Sequence, residues 1–106
     1  MIDSIWTNAE KKIARRVFDA AAERELSLLI SEFKSKAASA TDTETLWNIR
    51  DWLNKRQSEI DSEFDYRYSR LIFVFANLIR ARKININDLA GISERKLAEI
   101  LSLTEQ

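Results

Sequence analysis

Proline is absent from this chain of 106 residues, and glycine occurs once, at Gly91. Proline and glycine are the residues that most often end or bend a helix. A chain almost without them is expected to fold as long, uninterrupted helices, so the expected fold class is all-α. Thr7-Asn8-Ala9-Glu10 fits a capping box, with Thr7 as N-cap and Glu10 reaching back. A helix is expected from Asn8 to Ala38. Thr41-Asp42-Thr43-Glu44 repeats the signal and opens a second helix. That helix either stops at Asp61-Ser62 or continues through Phe64, Leu71, Phe75 and Leu78 to Arg82. Lys83 to Asn87 reads as a loop. Asn87 is expected to cap a one-turn helix ending at Gly91. Ser93 is expected to cap a last helix, Glu94 to Leu103, with Leu97, Ile100 and Leu101 facing inward.

The first helix is too long for a compact monomer. About 30 residues at about 1.5 Å each span about 45 Å, whereas a globule of this size has a radius of gyration of about 13 Å. Its apolar face also moves. Trp6, Ala9, Ile13, Val17 and Ala20 form one stripe. After Glu23-Arg24-Glu25, the large apolar residues Leu29, Ile30, Phe33 and Ala37 lie roughly opposite it at about 100° per residue. One helix with two opposed apolar halves needs two surfaces to cover it, and a second copy of the chain is the economical source. A homodimer is therefore expected.

Composition excludes much chemistry. There are 17 basic and 17 acidic residues, so formal net charge is zero, which argues against a nucleic-acid binder. Cysteine and histidine are both absent, removing thiolate nucleophiles, imidazole bases and the usual transition-metal ligands. One glycine cannot build a phosphate-cradling loop or a dinucleotide fingerprint. No cofactor, metal or enzymatic activity is expected. The longest apolar run, Leu71 to Ala76, is too short to span a membrane. Met1 is followed by Asp3 and Glu10 with no signal-peptide pattern, and the expected location is the cytoplasm.

The stretch Leu46-Trp47-Asn48-Ile49-Arg50-Asp51-Trp52-Leu53-Asn54 raises the question of binding. Leu46, Ile49, Leu53 and Ile60 share one stripe of the second helix. With Ile13 and Val17 of the first helix, Leu46, Ile49 and Leu53 are read as the dimer interface. Trp47 lies off that stripe, among Arg50, Asp51 and Asn54. Tryptophan and arginine are enriched where partners bind, so Trp47 is read as an interface residue. Trp52, on the opposite shoulder near Arg56 and Glu59, is expected to pack under a neighbouring helix.

The order and spacing of these residues resemble the fluorescence recovery protein family of cyanobacteria and its wider relatives. The resemblance covers almost the whole chain. It runs through Trp6-Thr7, Ala9-Glu10, Phe18, Ala21 and Arg24-Glu25-Leu26 to Leu46-Trp47, Asp51 and Leu53. It continues with Glu59-Ile60-Asp61, Asp65, Arg67, Ser69 and the run Ile72 to Ala76. Asp88-Leu89, Gly91 and Lys96-Leu97-Ala98 complete it. The resemblance implies an all-helical, cofactor-free homodimer, elongated through long antiparallel helices over residues 1–61 and carrying a small helical head over residues 62–106, that regulates photoprotection without catalysis. It implies binding to the C-terminal domain of the photoactivated orange carotenoid protein. Binding speeds return to the resting form and restores phycobilisome fluorescence. It also implies that Trp47, Asp51 and Phe73 contact the partner. Arg50 stands where the family typically has histidine, and Gln57 aligns with a family arginine, with Arg56 beside it. The expected partner surface is Trp47, Arg50, Asp51, Asn54, Arg56 and Phe73. The alternative is the same helical dimer with a different protein target.

Two rival readings are weaker. Glu59, Asp61, Glu63 and Asp65 could do acid–base chemistry or hold a hard cation, but Arg56, Arg67 and Arg70 are near enough to make a salt-linked face. Leu89-Ala90-Gly91-Ile92-Ser93 is similar to the segment before a DNA-recognition helix, but Ala90 and Gly91 are adjacent where that motif needs about three residues between them. It is read as a helix end followed by an N-cap.

Overall fold

A single α-helix, α1 (Asn8–Ala38), is the spine of the computed structural model, which describes residues 5–105. The expectation resting on Met1 and Asp3 lies outside these residues. The capping box forms as the sequence predicts: the Thr7 hydroxyl accepts from the Glu10 N–H, and the Glu10 carboxylate accepts from the Thr7 N–H. The helix then runs unbroken for 31 residues, and the molecule measures 55 × 22 × 21 Å.

The hairpin partner is α2 (Thr43–Glu63). Its cap is Asp42, not the expected Thr41: the Asp42 carboxylate accepts from the Thr45 N–H at 2.8 Å. A carboxylate at the positive end of a helix adds a charge term that a threonine lacks. The helix stops at Glu63 instead of continuing to Arg82. The reason is legible in Phe64-Asp65-Tyr66-Arg67-Tyr68, where rings and charges alternate with the period of an extended chain. The rings lie along α1: Phe18 meets Phe64 and Tyr66 edge-on, with centroids 5.5 and 4.8 Å away. Tyr68 follows Tyr66 at 5.7 Å, and its carbonyl accepts from the Trp6 indole N–H.

Helix α3 (Leu71–Arg80) is the centre of the core, with Leu71, Phe75 and Leu78 fully enclosed. Trp6, Ala14, Val17, Phe18 and Ala21 of α1 pack into the same cluster, as do Ile84, Leu89, Ile92 and Ile100. Val17 was expected at a dimer interface; it is 6% exposed within its own chain. Ile13 was expected there too; it packs on this core beneath Gly91. Both lie on the α1 flank that the head covers, so neither is left for a second copy. Ala9, expected on the same stripe, is exposed, and Ala14 and Phe18 take its place.

The one glycine is required where it stands. Gly91 has φ +103°, and a Cβ there would lie 2.6 Å from Ile13 Cδ1. The preceding turn is a 3-10 helix, Ile86–Leu89, capped by Asn85 and not by Asn87. Asn85 accepts from the Asn87 N–H, and Asp88 accepts in return from the Asn85 N–H. The end of α3 is less usual. Arg82 has φ 61°, a left-handed conformation in which a residue other than glycine costs about 1 kcal/mol. It completes a Schellman-type ending, with Arg82 N–H donating to the Ile79 carbonyl and Lys83 N–H to the Leu78 carbonyl.

Helix α4 (Glu94–Thr104) begins at the Ser93 cap. Ile100 is buried as expected, but Leu101 faces solvent. The buried face is shared with Lys96, whose ammonium reaches the Glu10 carboxylate at 3.2 Å. Glu10 also accepts from the Ser93 N–H, so one carboxylate caps α1, holds the start of α4 and pairs with Lys96. Burial pushes the Glu10 carboxyl up. The Thr7 and Ser93 N–H groups and the Lys96 ammonium outweigh it, and its pKa falls from 4.5 to about 2.

The sign of the linkage follows. A folded-state pKa below the unfolded value gives stability that is complete above about pH 4.5 and is lost as pH falls toward 2. Glu10→Gln also leaves Lys96 buried without its carboxylate, so the substitution is expected to cost on the order of 3 kcal/mol near neutrality. Urea unfolding of both proteins from pH 7 to pH 2.5 checks this: the difference should shrink steadily below pH 4.5, and a constant difference would contradict it.

Candidate functional site

Helix α2 touches the rest of its own chain along one narrow edge. Ile49, at 8% exposure, is its buried residue. Trp52 lies against α1 as expected, with the Lys36 ammonium 5.0 Å from its ring centroid. Leu53 is half-buried, whereas Leu46 on the same stripe is exposed. Of the residues expected at a dimer interface, Ile49 is used within the hairpin and Leu46 and Leu53 retain surface to offer.

Trp47 points away from this edge and is 54% exposed. Arg50 is one turn further on, with its guanidinium carbon 5.3 Å from the Trp47 ring centroid. The same guanidinium donates to Asp51, Nη2 and Nε lying 3.0 and 3.1 Å from Oδ1. Trp47, Arg50 and Asp51 are therefore linked through one arginine, and Asn54 is exposed a turn beyond. The patch offers a flat apolar ring, a cation and an anion side by side. Each group retains solvent-facing hydrogen-bonding capacity.

Arg56, expected on the same surface, turns inward. It bonds Glu25 at 2.7 Å and Glu59 at 2.9 Å and approaches Glu63 at 3.9 Å. Lys83 joins the cluster, 3.0 Å from Glu25 and 2.5 Å from Glu63. The bond to Glu59 leads in raising the Arg56 pKa against burial. Burial works against the Lys83 ammonium, but its bonds to Glu63 and Glu25 prevail and raise its pKa as well. This ion cluster fastens α2 to α1 where the hairpin leaves the head; its arginine is structural and not a free partner contact. Glu25 and Lys83 were not singled out in the sequence because they are 58 positions apart (83 minus 25). Asp65 pairs with Arg67, so the acidic run is largely tied to cations.

Phe73 is 45% exposed on α3, with the Arg70 guanidinium carbon 5.0 Å from its ring centroid. Trp47 is 16 residues (63 minus 47), or about 24 Å of helix, from the end of α2 nearest the head. In one chain, Phe73 and the Trp47 group form two separate patches.

A third surface is apolar. Leu26, Ile30 and Phe33 of α1 are exposed and fall within a band of roughly 60° on the helix. Glu25 and Lys36, which face α2, set the orientation of α1 in the hairpin. For two antiparallel helices so oriented, the Leu26–Ile30–Phe33 band and the Leu46–Leu53 flank of α2 emerge on the same side.

Among the described residues no group of His, Cys, Asp or Glu is arranged to hold a metal ion, and no helix is long and apolar enough to cross a membrane.

The geometry has counterparts in known proteins. Residues 6–104 match the family model described as photoprotection regulator fluorescence recovery protein. The fluorescence recovery protein of Synechocystis is 33% identical over 98 residues, which cover 92% of this chain and 90% of that protein. The solved fluorescence recovery protein of Fremyella diplosiphon superposes with a TM-score of 0.91 at 34% identity, over 96% of this chain and 100% of that one. The solved Synechocystis protein gives 0.90 at 31% identity, with the same coverage of each chain. The chain belongs to the fluorescence recovery protein family of photoprotection regulators.

Proposed function

We propose that this protein works as a homodimer that binds the C-terminal domain of the photoactivated orange carotenoid protein and speeds its return to the resting form. The reading rests on the exposed Trp47–Arg50–Asp51 group, a large ring with a charge of each sign beside it. Trp47 supplies rigid contact area at low entropic cost, and Asp51 can accept charge-assisted bonds from a basic group on the partner. The action is regulatory: binding energy that favours the resting form over the activated form shifts the balance between them, with no covalent step. Phe73 is proposed as a second contact from the head.

An uncovered apolar face supports the homodimer. Leu26, Ile30, Phe33 and Leu46 stand in water on one side of the hairpin. Burying each is worth on the order of 1 kcal/mol for the part now exposed. A second copy presenting the same face covers them by a two-fold contact.

Arg50 gives weight to the alternative reading, a dimer of the same design with another protein target. Its guanidinium already spans the Trp47 ring and Asp51, so a partner must compete for both groups. An imidazole at that position has shorter reach and a different charge near neutrality.

Light scattering at micromolar concentration is expected to give the mass of a dimer, about twice 12.4 kDa. Leu46→Glu and Ile30→Glu should shift that mass toward the monomer while keeping helical content. A monomeric wild type would refute the dimer.

The decay of the red form of the orange carotenoid protein after light-off tests the partner. Wild type should accelerate it. Trp47→Ala should weaken binding by about 2 kcal/mol, roughly thirtyfold. Asp51→Leu should abolish the effect, and Arg50→His should strengthen it. If wild type and Arg50→His are both folded dimers and neither changes the decay, the target is a different protein.

A further inference from the structure

The flank of α1 opposite the hairpin's apolar face carries a basic groove. Three adjoining clefts, of about 580, 410 and 700 Å³, all include Arg24 in their walls. They follow α1 from Arg16 to Leu28 and pass beside the turn that carries Arg82 and Asp88. Among the described residues Arg16, Arg24 and Arg82 form no ion pair with a carboxylate. Arg24 is steadied instead by donating to the Lys83 carbonyl at 3.0 Å. Glu23 and Asp88 also line the groove, but the Asp88 carboxylate is engaged by the Asn85 N–H. Leu28, 67% exposed, lies at one end of the α1 wall, and Ile86 lines the cleft that branches from Arg24 over the turn.

Arg82 is the telling residue. It occupies the left-handed helix-ending position where glycine fits without strain, and among the described residues its side chain forms no hydrogen bond or ion pair. A strained residue kept without a structural reward points to use.

The geometry points to a second docking surface on this protein, for an acidic extended segment of a partner protein with an apolar side chain at its ends. The wall from Arg16 to Leu28 is about 18 Å long, which matches five or six residues of extended chain. Carboxylates of such a segment find Arg24 where the three clefts meet, with Arg16 and Arg82 lining the two clefts beside it. The apolar ends rest on Leu28 and Ile86. A nucleic-acid strand fits less well, because its charge continues along the whole backbone, whereas Leu28 and Ile86 offer hydrocarbon. The groove lies roughly 140° around α1 from the Leu26–Ile30–Phe33 band, so a second copy on that band leaves it open. The inference is independent of the carotenoid-protein reading.

The probe is a fluorescein-labelled six-residue peptide with leucine at each end and four alternating aspartates and glutamates between. Its anisotropy is followed against the full chain at low and raised salt. Saturable binding that weakens with salt is expected. Arg16→Ala and Arg82→Gly should each lower affinity about fivefold, and the pair more than tenfold. Lys34→Ala, on exposed surface outside the groove, should change it less than twofold. Arg82→Gly relieves a strained position and should melt no lower than wild type, so its loss of binding cannot be a loss of fold. Replacing the end leucines by serine should weaken binding further. The proposal is overturned if wild type shows no saturable binding, if the arginine variants bind as wild type does, or if duplex DNA of equal charge displaces the peptide more readily than unlabelled peptide does.

Discussion

A helix of 31 residues outruns the core that one small chain can wrap around it, and the rest of the structure answers that constraint. The first half of α1 is covered by the chain itself: Ala14, Val17, Phe18 and Ala21 pack against α3 and the rings that follow α2. The second half is covered on one edge alone, by α2. Leu26, Ile30 and Phe33 lie roughly 140° around the helix from the head-facing stripe and remain exposed. The rod stays straight without proline or glycine to turn it, so the uncovered face is built in and not a packing defect.

Polar clusters hold the two halves in register. At the head, Glu10 joins the first turn of α1 to the first turn of α4 through Thr7, Ser93 and Lys96. Where the hairpin leaves the head, Glu25, Arg56, Glu63 and Lys83 tie α1, α2 and the end of α3 together. Part-buried ion clusters add directionality more than energy. Here they fix how α2 sits on α1, and so the direction in which Trp47, Arg50 and Asp51 are presented. Function on this scaffold is a matter of which flank of which helix faces outward.

Much of this was legible in the residues. The absence of breakers and the Thr7–Glu10 box point to α1 and its start, and Ser93 marks the start of α4. Trp47 stands off the apolar stripe of α2, and the wheel alone shows it. What eluded the sequence depended on contacts between distant residues. Val17 and Ile13 looked free for a partner because α3 and Gly91, which cover them, lie more than 50 positions away. Arg56 looked like a surface cation because Glu25 is 31 positions earlier. Leu101 looked buried because the carboxylate that draws Lys96 inward instead is at Glu10, 86 positions earlier. The end of α2 was the exception: the period-two alternation from Phe64 to Tyr68 was present in the sequence and identifies the break.

In the proposed homodimer, the outer face of the second half of α1 is covered by another copy of the chain. Amide hydrogen exchange across residues 24–38, measured at several protein concentrations, tests it most directly. Protection there should approach that of residues 14–21 at high concentration and fall on dilution, while residues 14–21 hold their protection. Protection across 24–38 that is the same at every concentration down to the nanomolar range, in a protein whose mass is that of one chain, would contradict it.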